Sequence, residues 1–275
     1  MTPATSKPER ARSGRQRLDQ RLVAEGLAES REKAQALVMA GCVRVDGRPA
    51  AKPGAAVPPG AAVEVDPGPE HVGRGARKLA GALDALGIEC AGRVAVDVGA
   101  STGGFTEILL ERGATRVYAV DVGRGQLHSR IRNDPRVVVL ERTNARRLSP
   151  EQVPEACGLA AMDVSFISVL KILPALRSVL APGADLAVLV KPQFELDRRA
   201  VSRGGVVRER DAHLRALGGV AEAARLEHGY GIVGACPSPL QGIRGNREFF
   251  LHLRPETDRG LSGTALRRRL EEVVA

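Results

Sequence analysis

Residues 94–126 read V-A-V-D-V-G-A-S-T-G-G-F-T-E-I-L-L-E-R-G-A-T-R-V-Y-A-V-D-V-G-R-G-Q, and this stretch restricts the fold more than any other. An apolar strand running into Asp97 meets a glycine-rich turn (Gly99, Gly103, Gly104). An amphipathic helix follows, and a second apolar strand ends on an acid, Asp121. This is the first crossover of a doubly wound α/β sheet, in which the turn faces a nucleoside and the acid takes ribose hydroxyls. A dinucleotide fingerprint needs a glycine at position 101 so that the backbone can close on a pyrophosphate. The chain has Ser101 there. A nucleoside cofactor without phosphate, such as S-adenosylmethionine, therefore fits better. The plain alternative is a glycine turn that only packs a helix on a sheet.

Apolar stretches at 94–98, 117–120, 137–140, 159–162, 186–190, 231–235 and 249–253 supply seven strands. Helical patterns separate the first five, which predicts a parallel sheet with helices on both faces. Only the loop P-S-P-L-Q-G-I-R-G-N lies between the last two, too short for a crossover helix. They are expected to form an antiparallel hairpin at the sheet edge. Seven strands closing on such a hairpin are the class I methyltransferase (Rossmann-like) architecture, whereas a dinucleotide sheet stays parallel to its sixth strand. The domain is expected over residues 73–255, followed by a basic helical tail at 256–275 with Arg267, Arg268 and Arg269.

The preceding residues read differently. Residues 1–14 mix proline, serine and basic residues without periodicity, the composition of a disordered tail. Residues 15–66 predict a small α+β domain. Leu18, Leu22 and Val23 share a helix face that Gly26 ends, and Ser30 opens a second helix with Ala34, Leu37 and Val38 at i, i+3 and i+4. A strand at 42–45, an Asp46-Gly47 turn and a strand at 62–65 follow, and residues 67–72 form a stiff linker. The stretch S-R-E-K-A-Q-A-L-V-M-A-G-C-V-R-V-D-G-R-P resembles the S4 RNA-binding module. Arg17, Arg21, Arg31, Lys33, Arg44 and Arg48 are placed to track phosphates of structured RNA, or else form a solvated basic face. A formal net charge of +9 agrees with a polyanionic partner. With no tryptophan and 3% aromatic residues, base stacking is not expected to be the main mode of binding.

Four titratable residues sit where strands end or a helix begins. Lys78 opens a helix before the first strand, Asp163 closes the fourth, Lys191 follows the fifth and Glu248 starts the seventh. Ligands of an open α/β sheet bind beyond the carboxyl ends of the parallel strands, and an antiparallel last strand begins on that same side. The motifs D-V-G-A-S-T-G-G-F-T, D-V-S-F-I-S, K-P-Q-F-E and G-N-R-E-F resemble those of the TlyA-type (haemolysin A-like) rRNA 2′-O-methyltransferases, whose catalytic domain is of FtsJ/RrmJ type. The resemblance spans about residues 15–255 and implies a Lys-Asp-Lys-Glu tetrad at Lys78, Asp163, Lys191 and Glu248. It implies S-adenosylmethionine at Asp97, Gly99, Ala100, Ser101, Gly103, Gly104, Phe105 and Asp121, and methylation of a cytidine ribose in ribosomal RNA. The extended ends resemble the longer family form that acts on both small- and large-subunit RNA, so ribosomal subunits are the implied partners. Two departures are Gly73, where the family usually has serine, and a P-G-P-E-H-V linker in place of the Arg-x-Trp-Val of some relatives.

A ribose hydroxyl must lose its proton as it attacks a sulfonium methyl in line. Lys191 is the expected base, because two amines held together penalise each other's charge, with Asp163 and Glu248 holding the pair. A sulfonium is already activated, so no metal is expected. Asn144 in T-N-A is placed either for the adenine edge or simply to form a turn. The basic run 198–215, with Arg203, is either an RNA contact or a solvated loop.

Cys42, Cys90, Cys157 and Cys236 show no metal or redox spacing, and His128 and His213 no ligand spacing. No stretch reads as a secretory signal or membrane span, so a cytoplasmic protein without a membrane partner is expected. A monomer is favoured. Three other readings compete. A ribosome-binding protein with an idle methyltransferase scaffold would lack methyl transfer. A membrane-lytic protein needs a long apolar or strongly amphipathic segment, and none is visible. A nicotinamide oxidoreductase is disfavoured by Ser101 and by the final hairpin.

Overall fold

The computed structural model describes residues 15–39, 42–50, 52–65, 71–197, 201–202, 204–242, 245–255 and 260–275. The expected tail at 1–14, most of the linker and Arg203 lie outside them. The chain forms two compact units, residues 1–70 and 71–275.

In the first unit, β1 (Gln16–Arg17) leads into α1 (Leu18–Ala24), and α2 (Arg31–Met39) packs on it. The strands β2 (Val43–Val45), β3 (Arg48–Pro49), β4 (Ala56–Val57) and β5 (Val63–Val65) follow. β2 lies between β3 and β5 with antiparallel pairing, and β1 pairs with β4. Asp46 and Gly47 both have positive φ (50° and 73°), the geometry of a two-residue hairpin turn. Leu18, Leu22, Ala34, Val38, Val43, Val57 and Ala61 form the core. Asp19 is wholly buried and accepts hydrogen bonds from Arg17, Arg31 and Gln35.

The second unit runs in chain order α3 (Gly75–Leu86), β6 (Val94–Val98), α4 (Gly104–Glu111), β7 (Arg116–Val120), α5 (Ser129–Arg132), β8 (Val137–Leu140) and β9 (Cys157–Met162). It continues with α6 (Leu173–Arg177), β10 (Leu180–Val190), α7 (Pro192–Glu195), α8 (Arg210–Leu226), β11 (Gly231–Pro237), β12 (Phe249–Arg254) and α9 (Gly263–Val274). The sheet order is β11-β12-β10-β9-β6-β7-β8, and β12 is antiparallel to both neighbours. The final hairpin thus forms as expected, but its second strand is inserted between β10 and β11 and does not form the edge.

Two differences from expectation have simple causes. Between β8 and β9 there is no helix longer than a single 3-10 turn, Ala145–Arg147, because Pro150 and Pro154 interrupt the stretch. The residues after 255 are more than a tail. Leu266, Leu270, Val273 and Val274 of α9 are buried in the core cluster that also holds Leu217 and Val220 of α8. Their i, i+4, i+7 spacing is an apolar stripe that a surface tail would not need. On the other face of the sheet, Leu79 and Leu83 of α3 pack with Leu109 of α4 and Leu189 of β10.

Candidate active site

At the carboxyl ends of the parallel strands lies a cavity of about 750 Å³, within the roughly 300–1,000 Å³ of small-molecule sites. All four tetrad residues line it. Lys78 comes from the first turn of α3, Asp163 follows β9, Lys191 follows β10, and Glu248 precedes β12. The antiparallel direction of β12 is what brings Glu248 to this edge.

The four groups form two separate pairs. Lys78 Nζ donates to Glu248 Oε2 at 2.5 Å, both groups being buried. Lys191 Nζ lies 2.5 Å from Asp163 Oδ1 and donates a hydrogen bond to Ser165 Oγ at 2.9 Å. The sequence reading had the two amines held as one pair; here each has its own carboxylate. Pro192 at the first position of α7 ends β10 just after Lys191 and so holds it at the rim. Gly242 gives Glu248 room, since a Cβ there would sit 2.5 Å from Glu248 Oε1.

The glycine turn follows β6, and Gly99, Ala100, Ser101, Gly104 and Phe105 line the same cavity. Its glycines serve the protein's own packing as much as a ligand. A Cβ on Gly99 (φ 88°) would lie 2.3 Å from the Asp163 carbonyl oxygen, so its absence lets the β6 and β9 loops touch. Gly103 (φ 97°) makes way for Leu127 and Ile131, and Gly104 for the backbone of Ala76. A Cβ on Gly73 would meet Thr102 Oγ1 at 2.5 Å, so the glycine that departs from the family's serine gives Thr102 its place.

Asp97, Gly103, Asp121 and Asn144 do not reach the cavity lining. Asp97 is wholly buried beneath the turn and accepts a 2.6 Å hydrogen bond from Thr106 Oγ1. Burial pushes its carboxyl up to about 7, against the bond from Thr106, and the nearby Asp163 adds to the rise. Its bond to Thr106 makes it a support for the turn, while its Oδ1 has no hydrogen-bond partner. Asp121 is half-buried and accepts the Ser101 N–H at 2.8 Å and the Gly123 N–H at 2.6 Å, one on each oxygen. The Asn144 side chain caps the 3-10 turn by accepting the Arg146 N–H, which is the turn-forming alternative.

Among the predicted RNA contacts, Arg31, Lys33, Arg44 and Arg48 are exposed. Arg17 is exposed and paired with Asp19. Arg21 is a correction. It is buried, and its guanidinium donates to the carbonyls of Pro58 and Ala61 and to Glu25, so it holds the domain together. Cys90, Cys157 and Cys236 are buried, and burial pushes their thiols up to about 11, 12 and 11, as suits small apolar residues.

The FtsJ-like methyltransferase family model matches residues 71–255, and the S4 domain model matches residues 16–63. The chain belongs to the FtsJ-like methyltransferase family. It is 50% identical over 263 residues to a 16S/23S rRNA (cytidine-2′-O)-methyltransferase TlyA of Mycobacterium tuberculosis, covering 95% of this chain and 98% of that one. It is 38% identical to Hemolysin A of Brachyspira hyodysenteriae, over 86% of this chain and 98% of the other. A solved structure from Streptococcus thermophilus with a hemolysin name superimposes with a TM-score of 0.71 at 38% identity, covering 96% of this chain and 95% of that one.

Several residues of this FtsJ-like methyltransferase site were missed by sequence reasoning. Ser165 supports Lys191, and Asn246 and Gly205 line the cavity together with the aromatic pair Phe166 and Phe194. The rings of that pair lie 5.1 Å apart. Phe166 is 91% exposed and has a φ of 66°. An apolar ring set directly after the D-V-S motif, in a loop, was the available signal. No helix among the described residues is long and apolar enough to cross a membrane.

Proposed function

We propose that the chain transfers a methyl group from S-adenosylmethionine to the ribose 2′-hydroxyl of a cytidine in ribosomal RNA. The observation that carries this is the presence of both lysine–carboxylate pairs in the cavity that the glycine turn also lines. The residues fit the cofactor. The turn from Gly99 to Ser101 lines the cavity and offers close backbone approach, and Asp121, outside the lining but bonded to the Ser101 N–H, uses one N–H on each oxygen and so retains lone pairs for ribose hydroxyls. When bound, S-adenosylmethionine supplies an activated methyl group and needs no metal to do so.

Lys191 Nζ acts as the base in its neutral form, its own proton having first left to solvent, and then takes the hydroxyl proton. The ammonium that results is met by Asp163 and Ser165 already in place, so its charge is stabilised without rearrangement. Lys78 and Glu248 line the same cavity as an internally neutral pair that helps hold the nucleotide for in-line attack. Phe166 offers a base a stacking face in the cavity that Asp163 also lines. The exposed cations Arg31, Lys33, Arg44 and Arg48 are suited to rRNA phosphates, and the 50% identity to a protein named for both 16S and 23S rRNA supports ribosomal subunits of both sizes as substrates in a cytoplasmic setting.

The test is transfer of radiolabelled methyl to isolated ribosomal subunits, with Lys191→Ala as control. Transfer by the wild type and a loss of about 10²- to 10⁴-fold in the variant is the expected result. Equal, negligible incorporation by both would leave only a ribosome-binding protein.

A further inference from the structure

The wall of the cavity next to Glu248 is fastened by two side chains that the reaction itself does not require. Gly205 lines the cavity, and residues 204–207 lead from it into α8. Asn246, 2% exposed, also lines the cavity. Its Oδ1 accepts the Val207 N–H at 2.8 Å and its Nδ2 donates to the Gly205 carbonyl at 2.9 Å. Its own carbonyl accepts the Gly242 N–H at 2.9 Å, so the loop before β12 is closed at the same point. On the other side of Val207, His213 Nε2 lies 3.1 Å from the Val207 carbonyl, which makes Nε2 the protonated nitrogen. His213 is 2% exposed, its ring meets Phe249 edge-on at 5.4 Å, and burial pulls its basicity down, which keeps the imidazole neutral. Both polar groups of Val207 are thus held by side chains, one from the residue two before Glu248 and one packed on the residue just after it.

We infer that Asn246 and His213 are positioning residues that clasp Val207 and hold the 204–207 wall in register with Glu248, setting the shape of the part of the cavity that receives the RNA nucleotide. This rests on the proposed function and deepens it. The clasp stands beside Glu248, and among the described residues neither side chain bonds to the glycine turn or to Asp121, so its effect is expected on the RNA more than on the cofactor. The Glu248 bond to Lys78 does not run through Asn246 or His213, so cutting the clasp is expected to spare the chemistry and weaken binding of the nucleotide. That is the signature of an interaction made equally in ground and transition states.

The experiment compares the full chain with Asn246→Ala, with His213→Phe, which keeps an aromatic ring against Phe249, and with His213→Gln, which restores an N–H donor. Methyl transfer to ribosomal subunits is followed with amide hydrogen exchange at residues 204–207. Asn246→Ala and His213→Phe are expected to raise KM for the RNA about tenfold and change kcat less than about threefold. Affinity for S-adenosylmethionine should stay within about twofold, exchange at Val207 should accelerate, and His213→Gln should recover most of the KM. An unchanged KM with a lower kcat would reduce both residues to structural supports and overturn the inference. Unchanged exchange would overturn it also. A wild type that transfers no methyl would sink the proposed function instead, and exchange would still decide whether the clasp exists.

Discussion

Lys78 and Glu248 are 170 positions apart in the chain, yet Lys78 Nζ and Glu248 Oε2 form a 2.5 Å ion pair that is almost wholly buried. Removing one partner leaves the other charge buried without a counterion, a loss of about 3–5 kcal/mol in comparable pairs. Glu248→Ala should therefore unfold at markedly lower denaturant than wild type, and Lys78→Met/Glu248→Leu should recover much of the difference. Tyr118 and Tyr230 are the chain's two tyrosines and both lie in the second unit, so tyrosine fluorescence reports that unit alone. A double variant no more stable than Glu248→Ala would argue against the pairing.

Ser165 touches Lys191 by one hydrogen bond and no other tetrad residue by any bond among the described residues. A hydrogen bond to a charged group contributes about 1.5–3 kcal/mol. Ser165→Ala should lower kcat for methyl transfer by about tenfold or more, with the affinity for S-adenosylmethionine little altered. Calorimetric titration beside single-turnover kinetics separates the two.

Asp97 makes stability depend on pH. Burial raises its folded value to about 7 from 3.8 in the unfolded chain. Its contribution is fully present below the unfolded value and is lost as pH rises through the folded one, because only the unfolded chain gives up the proton freely. Melting curves between pH 4 and pH 8 should show wild type weakening relative to Asp97→Asn across that interval. The amide copies the protonated acid and does not titrate. Parallel curves for the two proteins would refute this.

Asp185 carries the opposite sign. Burial raises its carboxyl, but hydrogen bonds from His252, Arg93 and Arg254 outweigh that and hold it well below the usual carboxylate range. Its stabilisation is present above the unfolded value of 3.8 and is lost as pH falls towards the folded one. Asp185→Asn should be clearly less stable than wild type at pH 7, and the gap should close as the solution is acidified below pH 4. A gap that persists unchanged in acid would point to packing in place of charge.

Arginines of the first unit should divide into two classes. Arg44→Ala and Arg48→Ala are expected to weaken rRNA binding and reduce the slope of log K against log salt by about one each, with the fold intact. Arg21→Ala instead strips the Pro58 and Ala61 carbonyls of their donors and should cost about 1–3 kcal/mol of stability. Filter binding over a salt series and circular dichroism distinguish these outcomes.

Residues read in isolation carried the seven strands, the glycine turn and the positions of Lys78, Asp163, Lys191 and Glu248, because strand period, glycine placement and strand ends are local properties of the chain. The same reading placed Arg21 on the RNA face and α9 in a tail, since burial of a cation or of a short apolar stripe depends on what arrives from elsewhere. Asn144 was legible only as a choice between two roles, and in the fold its Oδ1 accepts the Arg146 N–H.

What the sequence determined by itself is the kind of sheet and the chemical groups at its carboxyl edge. Which lysine meets which carboxylate was left to the tertiary structure, as was the place of Phe166 at the cavity and the fastening of Val207 by Asn246 and His213. Local periodicity sets where each strand lies and the connections set its direction, but pairings between residues far apart in the chain depend on the insertion of β12 between β10 and β11, and no local pattern encodes that order.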